Sequence, residues 1–226
     1  MKRDIKNIDN ILFDLDGTLV DSQEGIINSA MYALDYYGIS YSGKEELKKF
    51  IGPPLKNAFM EFYGFDKDKA LQAAMVYREY YADKGVYQVK LYDGIIEMLA
   101  SLKKAGKKIF LATSKTEKYA HVILEYFGIS KYFDYIGGTD MQGIRDSKAK
   151  VLKYVLETTD TYVSDSVLVG DSRYDVLGAK ELGMRTIAVL YGYGSAEEHM
   201  KAGPDYTVHT PGELLSIMLY KFALIL

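Results

Sequence analysis

The sequence predicts an α/β fold, a doubly wound parallel sheet core with an inserted helical-bundle domain. Hydrophobic segments alternate with amphipathic helical segments, as in right-handed βαβ units. The hydrophobic segments are centred on Ile11, Ile109, Tyr135, Val167 and Ile187. With 226 residues, 48% of them hydrophobic, the chain is long enough for one core domain and a smaller appended domain.

The inserted segment is predicted to be helical because its hydrophobic spacing, from about Ser22 to Gly85, fits helices and no convincing strand. The first predicted helix runs through Ile27, Met31 and Leu34 and ends near Gly38, and the second is a short helix over 44–50. The prolines of Gly52-Pro53-Pro54 would start the third helix, and Asp66 would cap the fourth. Strand and helix alternate again from about Tyr92. We therefore expect a core domain at 1–18 and 88–226 and a cap domain at 19–87.

Two carboxylates follow the first hydrophobic segment, in the string Phe13-Asp14-Leu15-Asp16-Gly17. Ligands bind outside the carboxyl ends of parallel strands, so both acids are expected to project into a site. An ordinary Asp-Gly turn is the alternative. It accounts for Asp16, but it leaves Asp14 as a costly charge directly after a buried strand.

Hydroxyl groups follow the hydrophobic segment that begins at Lys108, where Thr113 and Ser114 precede Thr116 and Glu117. The Thr113 hydroxyl and the amides of a following helix could bind phosphate oxygens. Alternatively, Thr113, Ser114 or Thr116 is a helix cap, and the two roles are compatible.

A third site motif follows Val169, where Gly170 and Asp171 are succeeded four residues later by Asp175. Asp171 is expected at a strand end and Asp175 on the first turn of the next helix, and such hard oxygen ligands suit magnesium. Alternatively, Asp171 is a cap and Asp175 a solvated first-turn acid. Lys148 begins a predicted helix that runs to about Leu156, and in isolation it is a candidate for a solvated surface charge.

Together these segments resemble the four motifs of the haloacid dehalogenase superfamily: Asp14-x-Asp16, Thr113, Lys148 and Gly170-Asp171-x-x-x-Asp175. The resemblance implies a Rossmann-like core with a small helical cap. Dehalogenases of this superfamily lack an aspartate at the position of Asp16, whereas its phosphatases and phosphomutases have one.

Within the superfamily the chain looks most like the phosphoglycolate phosphatase-like branch and its 5′-nucleotidase-like members. The similar segments are Phe50-Ile51-Gly52-Pro53-Pro54-Leu55, Ala112-Thr113-Ser114-Lys115 and Gly192-Tyr193-Gly194-Ser195. One departure is Ser172, where relatives commonly have arginine after the Gly-Asp pair.

The resemblance implies a role for each motif residue. Asp14 would be the nucleophile that forms an aspartyl phosphate, and Asp16 the general acid and base. Mg²⁺ would be held by Asp14, the Asp16 backbone carbonyl and Asp171, with Asp175 ligating or orienting. Thr113, the Ser114 backbone and Lys148 would bind the phosphate oxygens. By analogy with capped relatives, Gly52, Pro53 and Pro54 would lie near the leaving group, although the two prolines could simply join two helices.

These roles predict a magnesium-dependent phosphomonoesterase acting on a small ester, phosphoglycolate or a nucleoside 5′-monophosphate. One alternative is a phosphomutase of the β-phosphoglucomutase type, but the cap contains no histidine to time the general acid. The other alternative is a non-catalytic phosphate-binding module on the same fold, because fold alone does not fix function.

Composition limits the partners and the other kinds of site. The formal net charge of −3 gives no general attraction to nucleic acid polymers or anionic membranes, and the absence of cysteine excludes disulfides, thiolate metal sites and cysteine nucleophiles. We expect a small phosphorylated metabolite as the partner and a cytoplasmic monomer or homodimer, because the N-terminus has no cleavable apolar region.

Three further groups of residues are expected to be structural. The apolar segment Leu214 to Leu226 is predicted to be a terminal helix on the core, with a membrane-surface or dimer contact as the alternative. The cap tyrosines should pack between helices, although they could stack on a nucleobase. The histidines, His121, His199 and His209, are expected to lie away from the site.

Overall fold

The computed structural model describes residues 5–219, which form eight strands and nine α-helices. The strands are β1 (Asn10–Phe13), β2 (Val20–Asp21), β3 (Lys90–Leu91), β4 (Lys108–Thr116), β5 (Tyr135–Thr139), β6 (Ser166–Gly170), β7 (Arg185–Val189) and β8 (Tyr206–Val208). The helices are α1 (Gln23–Tyr36), α2 (Leu55–Tyr63), α3 (Lys67–Asp83), α4 (Ile95–Lys104), α5 (Glu117–Tyr126), α6 (Lys148–Thr158), α7 (Arg173–Glu181), α8 (Ala196–Ala202) and α9 (Pro211–Leu219).

The chain divides into two compact units. One contains the residues up to Leu19 and from Leu91 onward, and the other is Val20–Lys90. The first unit contains the large sheet, and the second is the helical insertion.

The first unit is built on a six-stranded sheet with the order β5-β4-β1-β6-β7-β8. Every pair of neighbours in it is parallel. The chain builds one half of the sheet outward from β1 through β4 to β5 and then returns to the other side of β1 at β6. This reversal of direction creates a crevice at the carboxyl end of β1, where doubly wound folds bind their ligands. The predicted α/β fold class is confirmed.

The central strand β1 is apolar on both faces because helices cover the sheet on both sides. Ile11, Leu12 and Phe13 are fully buried. Leu12 lies beside Phe110 of β4 and Leu168 of β6 in the register of the sheet. These three residues pack with apolar side chains of α6 to form a core beneath the strand ends. The core thus fixes the position at which the chain leaves β1.

Strand β4 is longer than the sequence indicates. The predicted strand ends at the hydroxyls of Thr113 and Ser114, but β4 continues to Thr116. Its pairing with β5 shifts register between Ala112 and Thr116. Irregular pairing of this kind locally redirects side chains. The segment that follows Ala112 is therefore an extended, irregular strand end, and α5 begins only at Glu117.

The second unit contains α1, α2 and α3 with two short 3₁₀ turns, Glu46–Phe50 and Gly85–Tyr87. The predicted helix over 44–50 is one of these 3₁₀ turns rather than an α-helix. Asp66 caps α3 as predicted, since its side chain accepts a hydrogen bond from the Lys69 amide at 2.8 Å. Pro54 precedes the first residue of α2, which agrees with the predicted helix start.

Aromatic side chains form much of the interior of the second unit. Phe59 is fully buried and its ring contacts those of Phe50 and Phe65, with centroids 5.0 and 5.8 Å apart. Tyr77 and Tyr81 are buried and stacked on one another. The packing interpretation is thus confirmed for Tyr77 and Tyr81, whereas Tyr36 of the same unit is 69% exposed.

The C-terminal segment is described as far as Leu219. Helix α9 buries Leu214 and Met218 and contacts α4 of the same unit. The prediction of a helix on the core is thus confirmed up to this residue, and the predicted remainder, 220–226, lies outside the described residues. Over residues 5–219, the structure has no helix with the length and hydrophobicity needed to span a membrane.

Candidate active site

Three buried aspartates meet at the carboxyl ends of two neighbouring strands. Asp14 directly follows β1, and its amide donates a hydrogen bond to the Val169 carbonyl of β6 at 2.9 Å. Asp171 directly follows β6, and Asp175 lies in the first turn of α7. One carboxylate oxygen from each residue lies within 4.8 Å of the other two. The structure thus brings together the acids of two motifs that are separated by about 150 residues in the sequence.

Asp175 is held in position by the start of its own helix. Ser172 caps α7 by accepting from the Asp175 amide, and the Asp175 Oδ2 accepts in return from the Ser172 amide at 3.0 Å and from its hydroxyl at 2.6 Å. The side chain of Asp175 is 2% exposed. The interpretation of Asp171 as the cap and Asp175 as a solvated acid is therefore wrong, because Ser172 is the cap and Asp175 points inward.

Lys148 is the cation of this cluster. Its Nζ lies 2.9 Å from Asp14 Oδ1 and 2.7 Å from Asp175 Oδ1, and it donates to the Ala112 carbonyl at 3.0 Å. The side chain is 3% exposed, so it is not a solvated surface charge. One hydrogen bond and two ion pairs of Lys148 thus tie the start of α6 to the ends of β1 and β4 and to α7.

The charge in the cluster is not balanced. Burial and the negative charge of Asp175 together raise the pKa of Asp14 to about 6, although Lys148 acts in the opposite direction. Burial and the charges of Asp175 and Asp14 also raise the pKa of Asp171 well above its ordinary value. Three carboxylates thus share one ammonium group in a region from which water is largely excluded.

This imbalance fits a divalent cation. The ligand atoms offered are carboxylate oxygens, which magnesium prefers, and the three residues are already close enough to bind one ion. A cation would stabilise the ionised carboxylates whose pKa values burial raises. The side chains of Asp14, Asp171 and Asp175 therefore fit a metal site.

Asp16 faces a second buried lysine. Its Oδ2 lies 2.9 Å from the Nζ of Lys115, and the two side chains are only 12% and 7% exposed. Sequence reasoning gave Lys115 no role, although it lies directly after Thr113 and Ser114. The direction of its side chain follows from the irregular end of β4, which the sequence pattern does not reveal.

Thr113 and Ser114 lie in this same strand end. Thr113 is buried, and its hydroxyl accepts from the Lys115 amide at 3.2 Å. The Ser114 carbonyl accepts from the Thr139 hydroxyl at 3.1 Å. Neither residue caps α5, and Thr116, at the cap position, makes no side-chain capping bond. The cap interpretation is therefore wrong for Thr113 and Ser114, and Thr116 occupies the cap position without a capping hydrogen bond.

The hydrogen bonds that hold the Asp171 side chain in position were not identified from the sequence. Asp171 Oδ2 accepts from the Tyr193 amide at 2.7 Å, and Oδ1 accepts from the Thr18 hydroxyl at 3.4 Å. The Tyr191 hydroxyl donates to the Thr18 carbonyl at 2.9 Å. The loop after β7 thus orients Asp171. The Gly-Tyr-Gly string of this loop is visible in the sequence, but its contact with Asp171 joins residues that are far apart in the chain and so could not be predicted from the string.

His199 also lies closer to the site than predicted. The residue is 3% exposed, and a Cβ at Gly194 would overlap both the Asp171 carbonyl and the His199 ring, so the two residues lie near one another. Burial lowers the pKa of its imidazole below the usual value. The expectation that all three histidines lie away from the site is therefore wrong for His199.

Gly52, Pro53 and Pro54 belong to the second unit, where they connect a 3₁₀ turn to α2. Gly52 has a positive φ of 102°, a conformation that glycine adopts without strain. Their assignment to substrate specificity remains a prediction.

The chain is similar to several proteins of known name. A family model described as haloacid dehalogenase-like hydrolase matches residues 11–189. A 5′-nucleotidase of Pseudomonas aeruginosa is 39% identical over 84% of this chain and 86% of its own length. The tyrosine-protein kinase PtkA of Mycobacterium tuberculosis is 36% identical over 88% of this chain and 68% of its own length.

The solved structures agree with this relationship. The crystal structure of a predicted phosphatase from Clostridium acetobutylicum superposes with a TM-score of 0.91, at 42% identity, and covers 92% of this chain and 97% of the other. The family match includes Asp14, Thr113, Lys148 and Asp171. The predicted family is confirmed: the chain is an enzyme of the haloacid dehalogenase-like hydrolase family.

Proposed function

We propose that the protein is a magnesium-dependent phosphomonoesterase that hydrolyses a small phosphate ester through an aspartyl phosphate on Asp14. The observation that carries this proposal is the buried cluster of Asp14, Asp171, Asp175 and Lys148 at the ends of β1 and β6. Phosphatase-type chemistry of this family is supported independently by the similar phosphatase structure and by the relative named 5′-nucleotidase.

Asp14 is the nucleophile. Its carboxylate attacks phosphorus in line with the leaving oxygen, and the bond from phosphorus to that oxygen breaks as the bond to Asp14 forms. Lys148 holds Asp14 Oδ1 at 2.9 Å and so fixes the carboxylate for this attack. Thr113, the Ser114 backbone and Lys148 are proposed to bind the non-bridging oxygens.

Asp16 completes both halves of the reaction. It protonates the departing alkoxide, and as a carboxylate it then removes a proton from the water that attacks the aspartyl phosphate. Its place two residues after Asp14 lets one loop present both groups. Phosphate leaves when the bond from phosphorus to Asp14 breaks, which returns Asp14 to its ionised form.

Magnesium, when bound, supplies positive charge that offsets the carboxylates and the phosphate dianion. We propose Asp14, the Asp16 backbone carbonyl and Asp171 as its ligands, with Asp175 as a ligand or an orienting group. The raised pKa of Asp14 and of Asp171 supports this assignment, because ionised carboxylates at this depth need a counter-charge.

The proposed substrate is phosphoglycolate or a nucleoside 5′-monophosphate, with Gly52, Pro53 and Pro54 of the cap as candidate specificity residues. We also propose a cytoplasmic monomer or homodimer. The net charge of −3 supports the further proposal that the protein binds no nucleic acid polymer and no membrane. A phosphomutase on the same fold is the alternative.

The test is magnesium-dependent phosphate release from phosphoglycolate, nucleoside 5′-monophosphates, sugar phosphates and pyrophosphate. Wild-type protein should release phosphate only with magnesium, and Asp14→Asn should lower kcat by at least about 1,000-fold with an unchanged fold. The control is Asp9→Asn, because Asp9 is 71% exposed and lies outside the cluster.

Four results would count against the proposal. No release from any substrate favours a binding module, and transfer between sugar hydroxyls without release favours a mutase. Transfer from ATP to protein tyrosine would instead match the name of the Mycobacterium tuberculosis relative. Substantial activity in Asp14→Asn would rule out Asp14 as the nucleophile.

A further inference from the structure

We propose that Lys115 recognises a negatively charged leaving group, so that the substrate carries an anionic group beyond the phosphate ester. This inference rests on the proposed function and narrows its substrate class. It favours phosphoglycolate and pyrophosphate, whose leaving groups are anions, over nucleoside monophosphates, whose leaving group is a neutral nucleoside.

The two buried lysines of the site contact different catalytic groups. Lys148 Nζ contacts Asp14, the residue that attacks phosphorus, and Asp175. Lys115 Nζ contacts Asp16 Oδ2 at 2.9 Å, and Asp16 is the residue that acts on the leaving oxygen. Lys148 therefore serves the phosphoryl group, and Lys115 lies on the part of the site that receives the leaving group.

The short distance between Lys115 and Asp16 places the leaving group near the Lys115 ammonium. A leaving oxygen that takes a proton from Asp16 lies within one hydrogen bond of that carboxylate. Since Asp16 Oδ2 is itself 2.9 Å from Lys115 Nζ, the leaving group lies within about two hydrogen-bond lengths, or ~6 Å, of the ammonium. The charged oxygens of a glycolate or phosphate leaving group are two or three bonds beyond the leaving oxygen, so a leaving group that points towards Lys115 brings its charge into that range.

The backbone fixes Lys115 in place. Its carbonyl oxygen is so close to Gly138 of β5 that a Cβ at position 138 would overlap it. Its amide donates to the Thr113 hydroxyl at 3.2 Å. The register shift between β4 and β5 covers this segment, and such irregularities redirect side chains beside active sites.

Burial makes the charge of Lys115 effective. The side chain is 7% exposed, and lysines are rarely buried at this level unless an anion accompanies them. In such surroundings a charge ~6 Å away is screened far less than in water, and the attraction corresponds to at most about 100-fold in affinity. An anionic leaving group gains this attraction, and a neutral one does not.

The experiment compares phosphoglycolate with ethyl phosphate, which has the same number of carbons but no carboxylate. Wild-type protein should have a kcat/KM about 10- to 100-fold higher for phosphoglycolate. Lys115→Met removes the contact with Asp16 for both substrates, but it should lower kcat/KM at least about 10-fold more for phosphoglycolate than for ethyl phosphate. Lys115→Arg, which keeps the charge, should retain much of the preference.

The matched control is Lys118→Met, because Lys118 is an exposed lysine three residues further along the chain. It should leave both substrates unaffected. An equal loss for the two substrates in Lys115→Met would overturn the inference, since Lys115 would then only position Asp16.

The wild-type comparison needs no variant, so it decides the inference even where Lys115→Met does not fold. Magnesium-dependent turnover of both substrates with no preference for phosphoglycolate overturns the inference and leaves the proposed phosphatase standing. No turnover of either substrate, or of any other phosphate ester, overturns the proposed function and the inference with it.

Discussion

Asp14 must be ionised to attack phosphorus, yet it is the residue whose surroundings favour its neutral form. Its carboxylate is buried beside Asp175, and its pKa rises to about 6 even though Lys148 lies 2.9 Å away. Added positive charge would therefore stabilise the ionised form of Asp14 and extend it to lower pH. A bound divalent cation is the group that the surrounding carboxylates could hold, which links metal binding to the protonation of a single residue.

This link predicts that magnesium stabilises the protein more strongly as pH rises. The pKa of Asp14 is higher in the folded state than in the unfolded state, so the folded protein binds this proton more tightly. Without metal, the resulting stability is present below about pH 4 and is lost as the pH rises to about 6. Magnesium binds the deprotonated carboxylates and offsets that loss. The increase in Tm on adding magnesium should be small near pH 5 and several degrees near pH 7.

The measurement is a thermal melt with magnesium or with potassium chloride at equal ionic strength. Potassium chloride should give little stabilisation at either pH. An increase in Tm with magnesium that is the same at both pH values would show that the Asp14 carboxylate does not compete with protons for the metal.

At the scale of elements, the site is formed by the loops that follow β1, β6 and β7. Gly17 and Gly192 both lie against Asp171, and a Cβ at either position would overlap its side chain. Gly17 has a positive φ of 80°, so it is required both for its backbone conformation and for its lack of a side chain. Gly192 is required only because it has no side chain, since its φ is one that other residues also adopt.

Gly192→Ala should therefore displace Asp171 and lower activity. Misplacement of a catalytic group by about 1 Å costs roughly 100-fold in rate, so we expect kcat/KM to fall by about that factor and the apparent affinity for magnesium to weaken. The measurement is phosphate release over a range of magnesium concentrations.

Gly212→Ala is the control, because a Cβ there meets no atom closer than 3.7 Å and the residue lies in α9. It should leave activity unchanged. Equal activity of wild type and Gly192→Ala would show that the loop after β7 tolerates a shift of Asp171.

Local elements that have a strong pattern could be predicted from the sequence. The apolar run before Asp14 identified β1, and Asp66 and the Pro-Pro pair marked helix starts, because those signals are carried by adjacent residues. The extension of β4 to Thr116 and the direction of Lys115 could not be predicted, since both depend on pairing with β5. The contact of Asp171 with the Tyr193 amide likewise joins two loops that only the folded sheet brings together.

At the scale of the whole molecule, two units have different tasks in the proposed function. The unit built on the six-stranded sheet holds Asp14, Asp16, Thr113, Lys148, Asp171 and Asp175, which the sequence predicted from four separate motifs. The inserted unit, Val20–Lys90, carries Gly52, Pro53 and Pro54. The central claim therefore concerns the sheet unit alone: a covalent intermediate forms on Asp14.

Trapping that intermediate tests the claim most directly. Asp16→Asn should form the aspartyl phosphate from p-nitrophenyl phosphate, whose leaving group needs no proton, but should hydrolyse it slowly because the base is missing. Acid quenching followed by borohydride reduction converts an aspartyl phosphate to homoserine, which mass spectrometry of the peptides locates. Homoserine should appear at position 14 only when substrate and magnesium are present, whereas homoserine at another aspartate, or none during turnover, would contradict a covalent intermediate on Asp14.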